Sequence, residues 1–398
     1  MAALPILVLN SGSSSIKFSV YEAGGSKPEK LLEGAVDGIG SSGLGKFAIH
    51  KTDGTKLVDE SPNVPDLTVA FGWVSKALTT APFPRPAAIG HRMVCGGPTV
   101  TENQRITPEL IAEMERYTAF APLHTPTAIY IMRQVAQLFP DVPNFVCLDS
   151  YFHCNLPAMA RELPIPEEYR AMGVRRFGAH GLSYESIVAH LQPHVPARLI
   201  VAHLGNGASI ATIRDGVCVD TSMGLTPTGG LISGSRTGDI DPGVLLFLLR
   251  KLGEKEPYTG KAADALEKIV NKKSGLQGLS GLTNDMRALR KAVAEGNTAA
   301  RLAVDEFCYV LRKFIGSYVA VLGGLDMLVF TGGIGENDSA TRAETCAGLE
   351  GLGILLDSER NQSRGEATIS ADGSPVIVRV IPPAEDLMIV EHVLRLME

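Results

Sequence analysis

Two short stretches of the sequence share one design, and they constrain the fold more than any other feature. Residues 7–20 read LVLNSGSSSIKFSV, and residues 199–213 read LIVAHLGNGASIATI. Each begins with an apolar run and continues through a turn of small residues, after which Ser15 or Ser209 precedes an isoleucine and a second apolar run. Two such units predict two related domains that face each other. Because glycine hairpins are common, a chance resemblance is the alternative.

The remainder of the chain alternates between short strands and helices. Apolar runs typical of strands occur at 145–148 and 327–331, and helical patterns occur at 128–138 and 297–322. Strands that alternate with helices indicate a layered α/β architecture. At 398 residues the chain is also too long for one ordinary hydrophobic core, so we expect two domains.

The charge and hydropathy patterns exclude several classes of partner. The net charge is −6, and acidic and basic residues are interspersed, so the chain lacks the basic surface that nucleic acid requires. The apolar stretch 315–330 is interrupted by Gly323, Gly324 and Asp326, whereas a membrane span needs about 20 apolar residues. We therefore expect no nucleic-acid partner and no membrane association.

The cysteines and the opening residues bear on the cellular compartment. The six cysteines show no C-x-x-C spacing, which is typical of reduced, buried thiols in a cytosolic protein. The opening residues MAALPILVLN lack the basic and long apolar segments of a secretory signal. We expect a cytoplasmic protein.

The turns of small residues are suited to an anion. Backbone N–H groups in a Gly/Ser turn can converge on a phosphate, because no side chain blocks its approach. Ser13 and Ser15 add hydroxyl groups to the first turn, and Lys17 adds a positive charge. A third strand-to-glycine junction, at 327–337, leads into a helix. Three such junctions favour phosphate binding over the alternative of ordinary hairpins.

Two arginines lie in glycine-rich segments, Arg92 in GHRMVCGG and Arg236 in SGSRTGDIDP. An exposed loop arginine is usually inert, but guanidinium groups from two segments are suited to stabilising a transferring phosphoryl group. We expect Asp239 and Asp241 to brace Arg236 or its turn.

Further candidates are histidines and one acidic residue. The histidines adjoin strand ends or glycines, and they are His124, His153, His180 and His203. Such a set predicts an active-site role for some of them, although the sequence alone does not select one. Glu385 precedes an apolar C-terminal helix. The two alternatives for it are a magnesium ligand and an acid favoured by the helix dipole.

Eight segments, in order over nearly the whole chain, resemble the acetate kinase family. They are LNSGSSSIKF, HRMVCGG, APLHTP, HLGNGAS, DTSMGLTP, GSRTGDIDP, TNDMR and FTGGIGEN. The resemblance implies an α/β fold of two duplicated actin-like ATPase (ribonuclease H-like) domains with a central active-site cleft. Residues 1–150 plus the C-terminal helix 386–398 are implied to form the N-terminal domain, which holds the acyl substrate and the phosphate hairpin. Residues 151–385 are implied to form the C-terminal domain, with the nucleotide site and a dimer interface.

The activity that the resemblance implies is reversible, magnesium-dependent transfer of the γ-phosphoryl group of ATP to acetate, giving acetyl phosphate and ADP. It also implies a homodimer, and Mn²⁺ is an alternative metal. Because a carboxylate is already ionised near neutral pH, we expect direct in-line transfer without a general base. Two alternatives remain: a propionate or other short-chain acyl kinase, and an actin-like or chaperone-like ATP-binding module.

The family motifs also imply roles for single residues of this sequence. The catalytic residues implied are Arg92, Asp149, His180 and Arg236. Of these, His180 and Arg236 are implied to stabilise the transition state, while His124 and His203 support them. Asn10 and Glu385 are implied to hold the metal and, with Asp149, to order the arginines.

Two binding regions follow from the same motifs. The acyl pocket is implied to consist of Arg92, Met93, Leu123, Ala179 and Pro227. The nucleotide and phosphate positions are implied to be Ser13, Ser15, Lys17, His203, Leu204, Gly205, Asn206, Gly207, Asp285, Met286, Arg287, Gly332, Gly333, Ile334, Gly335 and Asn337.

The sequence departs from the family pattern at the acyl pocket. Met93 replaces the first valine of the usual HRVVHGG, and Ala179 replaces the usual phenylalanine before His180. We hypothesise that Met93 fills part of the volume vacated at Ala179, so that acetate remains a substrate and propionate is accepted better than usual. The alternative is that another residue covers the phenylalanine position and selectivity is unchanged.

Overall fold

The computed structural model describes residues 4–398 except 13, 26, 42, 81–82 and 255–259. Its strands are β1 (Leu4–Ser11), β2 (Ser15–Ala23), β3 (Glu29–Asp37), β4 (Lys46–Lys51), β5 (Lys56–Glu60), β6 (Ala88–Met93), β7 (Gln104–Arg105), β8 (Asn144–Leu148), β9 (Arg198–Leu204), β10 (Ala208–Arg214), β11 (Val217–Thr221), β12 (Met327–Thr331), β13 (Ala367–Thr368) and β14 (Ile377–Val380). Its helices are α1 (Leu67–Leu78), α2 (Pro108–Arg116), α3 (Thr125–Leu138), α4 (Ala158–Arg161), α5 (Glu167–Ala171), α6 (Gly181–Leu191), α7 (Pro242–Gly253), α8 (Gly260–Lys272), α9 (Gly275–Ser280), α10 (Met286–Ala294), α11 (Thr298–Leu322), α12 (Gly332–Asn337), α13 (Ser339–Cys346) and α14 (Glu385–Met397). Short 3-10 helices occur at Thr118–Phe120, Asp149–His153, Glu350–Leu352 and Arg360–Gln362.

The chain divides into two compact units. The first unit comprises Met1–Cys154 and Ala384–Glu398, and the second unit comprises Asn155–Pro383. The C-terminal helix α14 therefore belongs to the same unit as the N-terminal strands.

The sheet of the first unit combines an antiparallel half with a parallel half. Its strand order is β5-β4-β3-β2-β1-β6-β8-β7. Neighbours from β5 to β1 are antiparallel, whereas β1, β6 and β8 run parallel. The central strand β1 carries Ile6 to Leu9, all of them buried. A continuous apolar run of this kind is typical of a strand that is covered on both faces.

The sheet of the second unit repeats this topology. Its strand order is β11-β10-β9-β12-β14-β13, with β11, β10 and β9 antiparallel and with β9, β12 and β14 parallel. The series β11-β10-β9-β12-β14 thus corresponds to β3-β2-β1-β6-β8 of the first unit. The two similar stretches of sequence are the β1–β2 and β9–β10 hairpins of this shared arrangement. The predicted duplicated α/β fold is confirmed.

Helix α11 forms one side of the core of the second unit. Its buried residues recur every three or four positions, as Ala300, Val304, Phe307, Leu311 and Ile315 illustrate. This is the period of a helix that presents one apolar stripe. The Asn297 side chain caps its N-terminus by accepting a hydrogen bond from Ala300 N at 2.9 Å, and Gly323 ends it with a φ of 71°.

Helix α14 packs against the parallel half of the first sheet, where a glycine makes room for it. A β-carbon on Gly90 of β6 would overlap Ile389 Cγ2 and would lie 2.9 Å from Val393 Cγ2. At its N-terminus α14 is tied to β2, because Ser19 Oγ donates a hydrogen bond to Asp386 Oδ2 at 2.7 Å.

Within the described residues, none of the helices has both the length and the apolar character needed to cross a membrane.

We predict that Gly90→Ala destabilises the first unit by about 1–3 kcal/mol, because the added methyl group forces α14 away from β6. Gly72→Ala is the matched control, since no atom lies within 4 Å of a β-carbon at this exposed position of α1. It should be neutral or stabilising by up to about 1 kcal/mol. Urea unfolding followed by circular dichroism measures both changes. Equal stabilities for the two variants would contradict this account of the packing.

Candidate active site

In the first unit, the parallel strands bring three candidate residues to one edge of the sheet. Asn10 lies near the end of β1, Arg92 lies near the end of β6, and Asp149 directly follows β8. Leu9 pairs with His91, and Met93 pairs with Leu148. The carboxyl ends of three neighbouring strands therefore coincide at this edge.

Arg92 is held by two carboxylates. Its Nε and Nη2 donate to the Asp149 carboxylate at 2.9–3.2 Å, and its Nη1 donates to Glu385 Oε2 at 2.8 Å. The Asp149 side chain is only 1% exposed, and the Arg92 side chain is 15% exposed. Burial alone lowers the pKa of the guanidinium, but the attraction of Asp149 and Glu385 outweighs it and raises the Arg92 pKa above its usual value. Asp149 and Glu385, which the sequence predicts to order the arginines, both contact Arg92.

The adjacent His91 is buried and contributes to the packing of the sheet. Its Nε2 forms a 2.8 Å hydrogen bond with Asn144 Oδ1. Burial lowers its pKa to about 4, although the hydrogen bond opposes the shift. His91 is thus neutral at physiological pH and makes a satisfied contact within the sheet.

The β1–β2 hairpin presents part of the predicted phosphate cradle. Gly12 N donates to Ser15 O at 2.8 Å and closes the turn, and Asn10 pairs with Lys17 across the hairpin. Lys17 is exposed, whereas Asn10 and Ser15 are half-buried. Ser13 lies outside the described residues.

In the second unit, the β9–β10 turn contains the corresponding candidates, His203 to Gly207. Gly205 N donates to Gly207 O at 3.1 Å, and the exposed Asn206 forms the tip. Asn206 O accepts a hydrogen bond from Gly234 N at 2.9 Å, and Asn206 Oδ1 accepts one from Asn284 Nδ2 at 3.2 Å. A β-carbon on Gly234 would overlap Asn206 Oδ1. The turn is thus fastened to the loop that carries Arg236.

Two of the four candidate histidines stack on each other. The rings of His180 and His203 lie 4.3 Å apart between centroids, with an angle of 24° between their planes. His180 caps α6 with a left-handed backbone, φ 57° and ψ 24°. His124, at the start of α3, and His153, which is buried after β8, belong to the first unit.

His180 and Arg236 converge on Gly207. A β-carbon at Gly207 would lie 3.3 Å from Arg236 Nη1 and 3.4 Å from His180 Nε2. Arg236 Nη1 also donates to Pro227 O at 3.4 Å. Burial lowers the pKa of Arg236, but an arginine stays charged at neutral pH. A guanidinium and an imidazole thus meet at a turn that has no side chain to block them.

Asp239 and Asp241 brace the turn around Arg236. Asp239 Oδ1 accepts a hydrogen bond from Gly230 N at 2.8 Å. Asp241 Oδ1 accepts one from Gly243 N at 2.7 Å and thereby caps α7. Of the two alternatives for these acids, these contacts match bracing of the turn.

The third glycine junction lies beside the β9–β10 turn. Gly332 follows β12 with a φ of 77°, and a β-carbon there would lie 2.9 Å from Leu204 O. Because β12 pairs with β9 through Thr331 and His203, both turns occupy the same edge of the sheet. Gly333 has open space around it, and Asn337 Nδ2 donates to its carbonyl oxygen at 2.9 Å.

Several predicted nucleotide positions are occupied by core side chains. Leu204 and Met286 are buried in the apolar core of the second unit, and Ile334 packs against it. Any contact of Leu204 or Met286 with a ligand is therefore limited to the backbone. Asp285 caps α10 by accepting a hydrogen bond from Arg287 N at 3.0 Å, and the Arg287 side chain holds its pKa below the usual value.

The position of Met93 contradicts its predicted place in the acyl pocket. Its side chain is buried in an apolar cluster with Met114, Met132 and Leu148. Successive side chains of a strand point to opposite faces, so Met93 lies on the other face of β6 from Arg92. Strand alternation was the signal in the sequence that could have placed Met93 on the face of β6 opposite Arg92.

The other pocket candidates are distributed over both units. Leu123 lies half-buried before α3 in the first unit, and Ala179 and Pro227 lie in the second. Ala179 is only 2% exposed and immediately precedes His180. Ala179 is thus adjacent in the chain to His180, which lies near Gly207.

A family model and several known proteins match this chain over nearly its full length. A family model described as the acetokinase family matches residues 5–391. The acetate kinase of Phocaeicola vulgatus is 39% identical over 408 residues, which cover 99% of this chain and 100% of that protein. A crystal structure of Porphyromonas gingivalis acetate kinase has a TM-score of 0.85 at 36% identity and covers 99% of this chain and 100% of its own.

A second solved structure broadens the comparison. The propionate kinase of Francisella tularensis has a TM-score of 0.88 at 34% identity, with coverage of 99% of this chain and 100% of its own. The family that the eight sequence segments resemble is therefore confirmed. The chain belongs to the acetokinase family.

Proposed function

We propose that this chain is an acetate kinase, which transfers the γ-phosphoryl group of ATP to acetate and runs in both directions. The observation that supports this most directly is the convergence of Arg236 Nη1 and His180 Nε2 on Gly207. Positive and hydrogen-bonding groups brought together at one place are what a transferring phosphoryl group requires. The family match over residues 5–391 supports the same activity.

The two units take different parts of the reaction in this proposal. The second unit binds ATP along the two glycine turns, 203–207 and 332–335, which lie at one sheet edge. In the first unit, Arg92 binds the carboxylate of acetate. Ser15 and Lys17 of the β1–β2 hairpin contact phosphate oxygens.

The chemistry needs little beyond alignment and charge neutralisation. A carboxylate oxygen of acetate forms a bond with the γ-phosphorus, and the bond from that phosphorus to the bridging oxygen of ADP breaks. ADP leaves with the electron pair, so acetyl phosphate forms in one displacement. No proton has to be removed from acetate, because it is ionised near neutral pH. Arg236 and His180 stabilise the charge on the equatorial oxygens as it redistributes.

Asp149 acts as a partner of Arg92 in this mechanism and not as a base. Both of its oxygens accept hydrogen bonds from the Arg92 guanidinium. These contacts stabilise the charged carboxylate. With Glu385 they also fix the direction in which Arg92 presents its remaining N–H groups.

Magnesium is expected to accompany the nucleotide. The described residues contain no cluster of three or more His, Cys, Asp or Glu side chains placed to hold a metal. Mg²⁺ nevertheless binds through one or two carboxylates together with phosphate oxygens and water. Asp149 and Glu385, joined through Arg92, and the amide of Asn10 offer suitable oxygen donors. A Mg²⁺ or Mn²⁺ ion held there would neutralise phosphate charge.

The choice of acyl group depends on a pocket in which one side chain is smaller than in the family pattern. Ala179 stands where the family usually has phenylalanine, and Met93 is packed in the core instead of compensating for it. Acetate remains the proposed substrate, and propionate is the second candidate, favoured by the similarity to a propionate kinase. The ATP-binding module without kinase activity gains no support from the family match.

The proposed assembly is a cytoplasmic homodimer. Helix α7 has the sequence PGVLLFLLRKLG, and none of its residues is buried in the chain. Leu246 is 53% exposed and Phe247 is 58% exposed. A contiguous exposed apolar surface marks an interaction site, and a second copy of the chain would cover it. Five of the six cysteines are buried, as is typical of cytosolic thiols.

We predict that Arg236→Ala lowers kcat by about 10²–10³-fold, because one charge that stabilises the transition state is lost. Acetyl phosphate trapped with hydroxylamine gives the rate. Arg214→Ala is the matched control, since this exposed arginine lies at the opposite end of β10. It should keep normal turnover. Near-normal turnover of Arg236→Ala would reject the assignment.

We predict that Ala179→Phe lowers kcat/KM for propionate relative to acetate by about 10-fold or more, since one methylene in an apolar pocket decides about 1–3 kcal/mol. The same hydroxylamine assay with acetate, propionate and butyrate measures the ratios. Ala179→Val tests a smaller increase in volume at this buried position. Met93→Val is the control and should leave the ratios unchanged. A shift with Met93→Val alone would restore Met93 to the pocket.

We predict that Phe247→Glu converts the homodimer into monomers, because it places a charge in an apolar interface. Sedimentation velocity gives the mass in solution. Met159→Glu introduces the same charge at a residue that is 94% exposed elsewhere in the second unit, and it should remain dimeric. If wild type is monomeric, or if both variants remain dimeric, α7 is not the interface.

A further inference from the structure

Two side chains in the first turn of α6 connect through hydrogen bonds to the stacked pair of His180 and His203. His180 caps this helix, and Ser183 and Tyr184 follow it within the first turn. Ser183 Oγ forms a 2.8 Å hydrogen bond with His203 Nδ1. Tyr184 Oη forms a short hydrogen bond with Ser209 Oγ, and Ser209 Oγ lies 2.7 Å from His180 Nδ1.

The opposite nitrogens of both rings lie near the glycine turn. His180 Nε2 lies 3.4 Å from the position of a β-carbon at Gly207, and His203 Nε2 lies 3.7 Å from that at Gly205. The stacked rings limit each other's rotation. Ser209 and Tyr184 are completely buried, so bulk water does not compete for their hydroxyl groups.

We propose that Ser209 and Tyr184 are positioning residues that orient His180 and place its proton on Nε2. A serine hydroxyl has one proton to donate. In the proposed arrangement Tyr184 donates to Ser209 and Ser209 donates to His180 Nδ1, so the proton of the His180 ring resides on Nε2. This inference rests on the proposed function, because an anionic phosphoryl oxygen only accepts hydrogen bonds and needs a donor at Nε2.

This arrangement also explains the backbone of His180. A left-handed φ of 57° is uncommon for a residue with a side chain. With this backbone, α6 begins directly after His180. Tyr184, four residues later, therefore lies one helical turn from His180, whose ring it supports through Ser209. Residues held in such conformations occur where the surrounding contacts determine them. Here those contacts are the Ser209 hydrogen bond and the His203 ring.

The test is a double-mutant cycle of Ser209→Ala and His180→Ala in the full-length protein, with kcat and KM measured by hydroxylamine trapping. Ser209→Ala alone should lower kcat by about 10–100-fold, by analogy with the loss of groups that orient metal-binding histidines, with KM for ATP and acetate little changed. In the His180→Ala background it should cause no further loss, because Ser209 acts through His180. Tyr184→Phe should lower kcat less than Ser209→Ala does.

Ser222→Ala is the matched control for the loss of a buried hydroxyl. Ser222 is 2% exposed, and its Oγ accepts a hydrogen bond from Ile210 N, next to Ser209 in the chain. This variant should retain normal kcat. Melting temperatures of all variants identify any that fail to fold.

A second readout reports the tautomer directly. In protein labelled with ¹⁵N-histidine, the spectrum of His180, assigned by its loss in His180→Ala, should show a neutral ring protonated at Nε2. Tyr184→Phe should alter this signal even if Ser209→Ala does not fold. A ring protonated at Nδ1, or equal losses from Ser209→Ala in both backgrounds, would overturn the inference. Normal turnover of His180→Ala would instead reject the proposed catalytic role of His180.

Discussion

Both groups of candidate residues depend on the parallel pairing of strands within each sheet. In the first unit, β1, β6 and β8 end at one edge, where Asn10, Arg92 and Asp149 lie. In the second unit, β9 and β12 end together, and each continues into a glycine turn. Parallel neighbours point their carboxyl ends in the same direction, so residues far apart in the chain meet without long connecting loops. A change of strand register would move all of these residues away from their partners.

The two central arginines are held by different means. Arg92 is fixed by ion pairs with Asp149 and Glu385, so its charge is neutralised locally and its direction is defined. For Arg236, the dominant influence on the pKa is burial, which lowers it, and its Nη1 contacts the Pro227 carbonyl. In the proposed mechanism Arg92 binds the stable carboxylate, and Arg236 contacts the phosphoryl group that moves.

Reading the sequence identified the segments that carry the candidate sites more reliably than it assigned the contacts of single side chains. The hairpins were recognisable because small residues between apolar strands have few other uses. Met93 was misplaced because a motif position was taken for a pocket position, although alternation along β6 turns its side chain into the core. Leu204 and Met286 lie in segments that the sequence predicts to bind the nucleotide, while their side chains pack into the apolar core. A motif records which residues occur together, but burial decides which of their atoms are accessible.

The sequence by itself determined the α/β class, the duplicated hairpins and the acetokinase family, because these depend on local periodicity, turn chemistry and ordered motifs. Only the tertiary structure decided which nitrogens of Arg92 each carboxylate holds and into which apolar cluster Met93 packs. It also decided that His180, His203 and Ser209 form one connected group beside Gly207. Such contacts join residues that are distant in the chain, and their geometry depends on strand register and helix direction. These are properties of the packed molecule that no local pattern specifies.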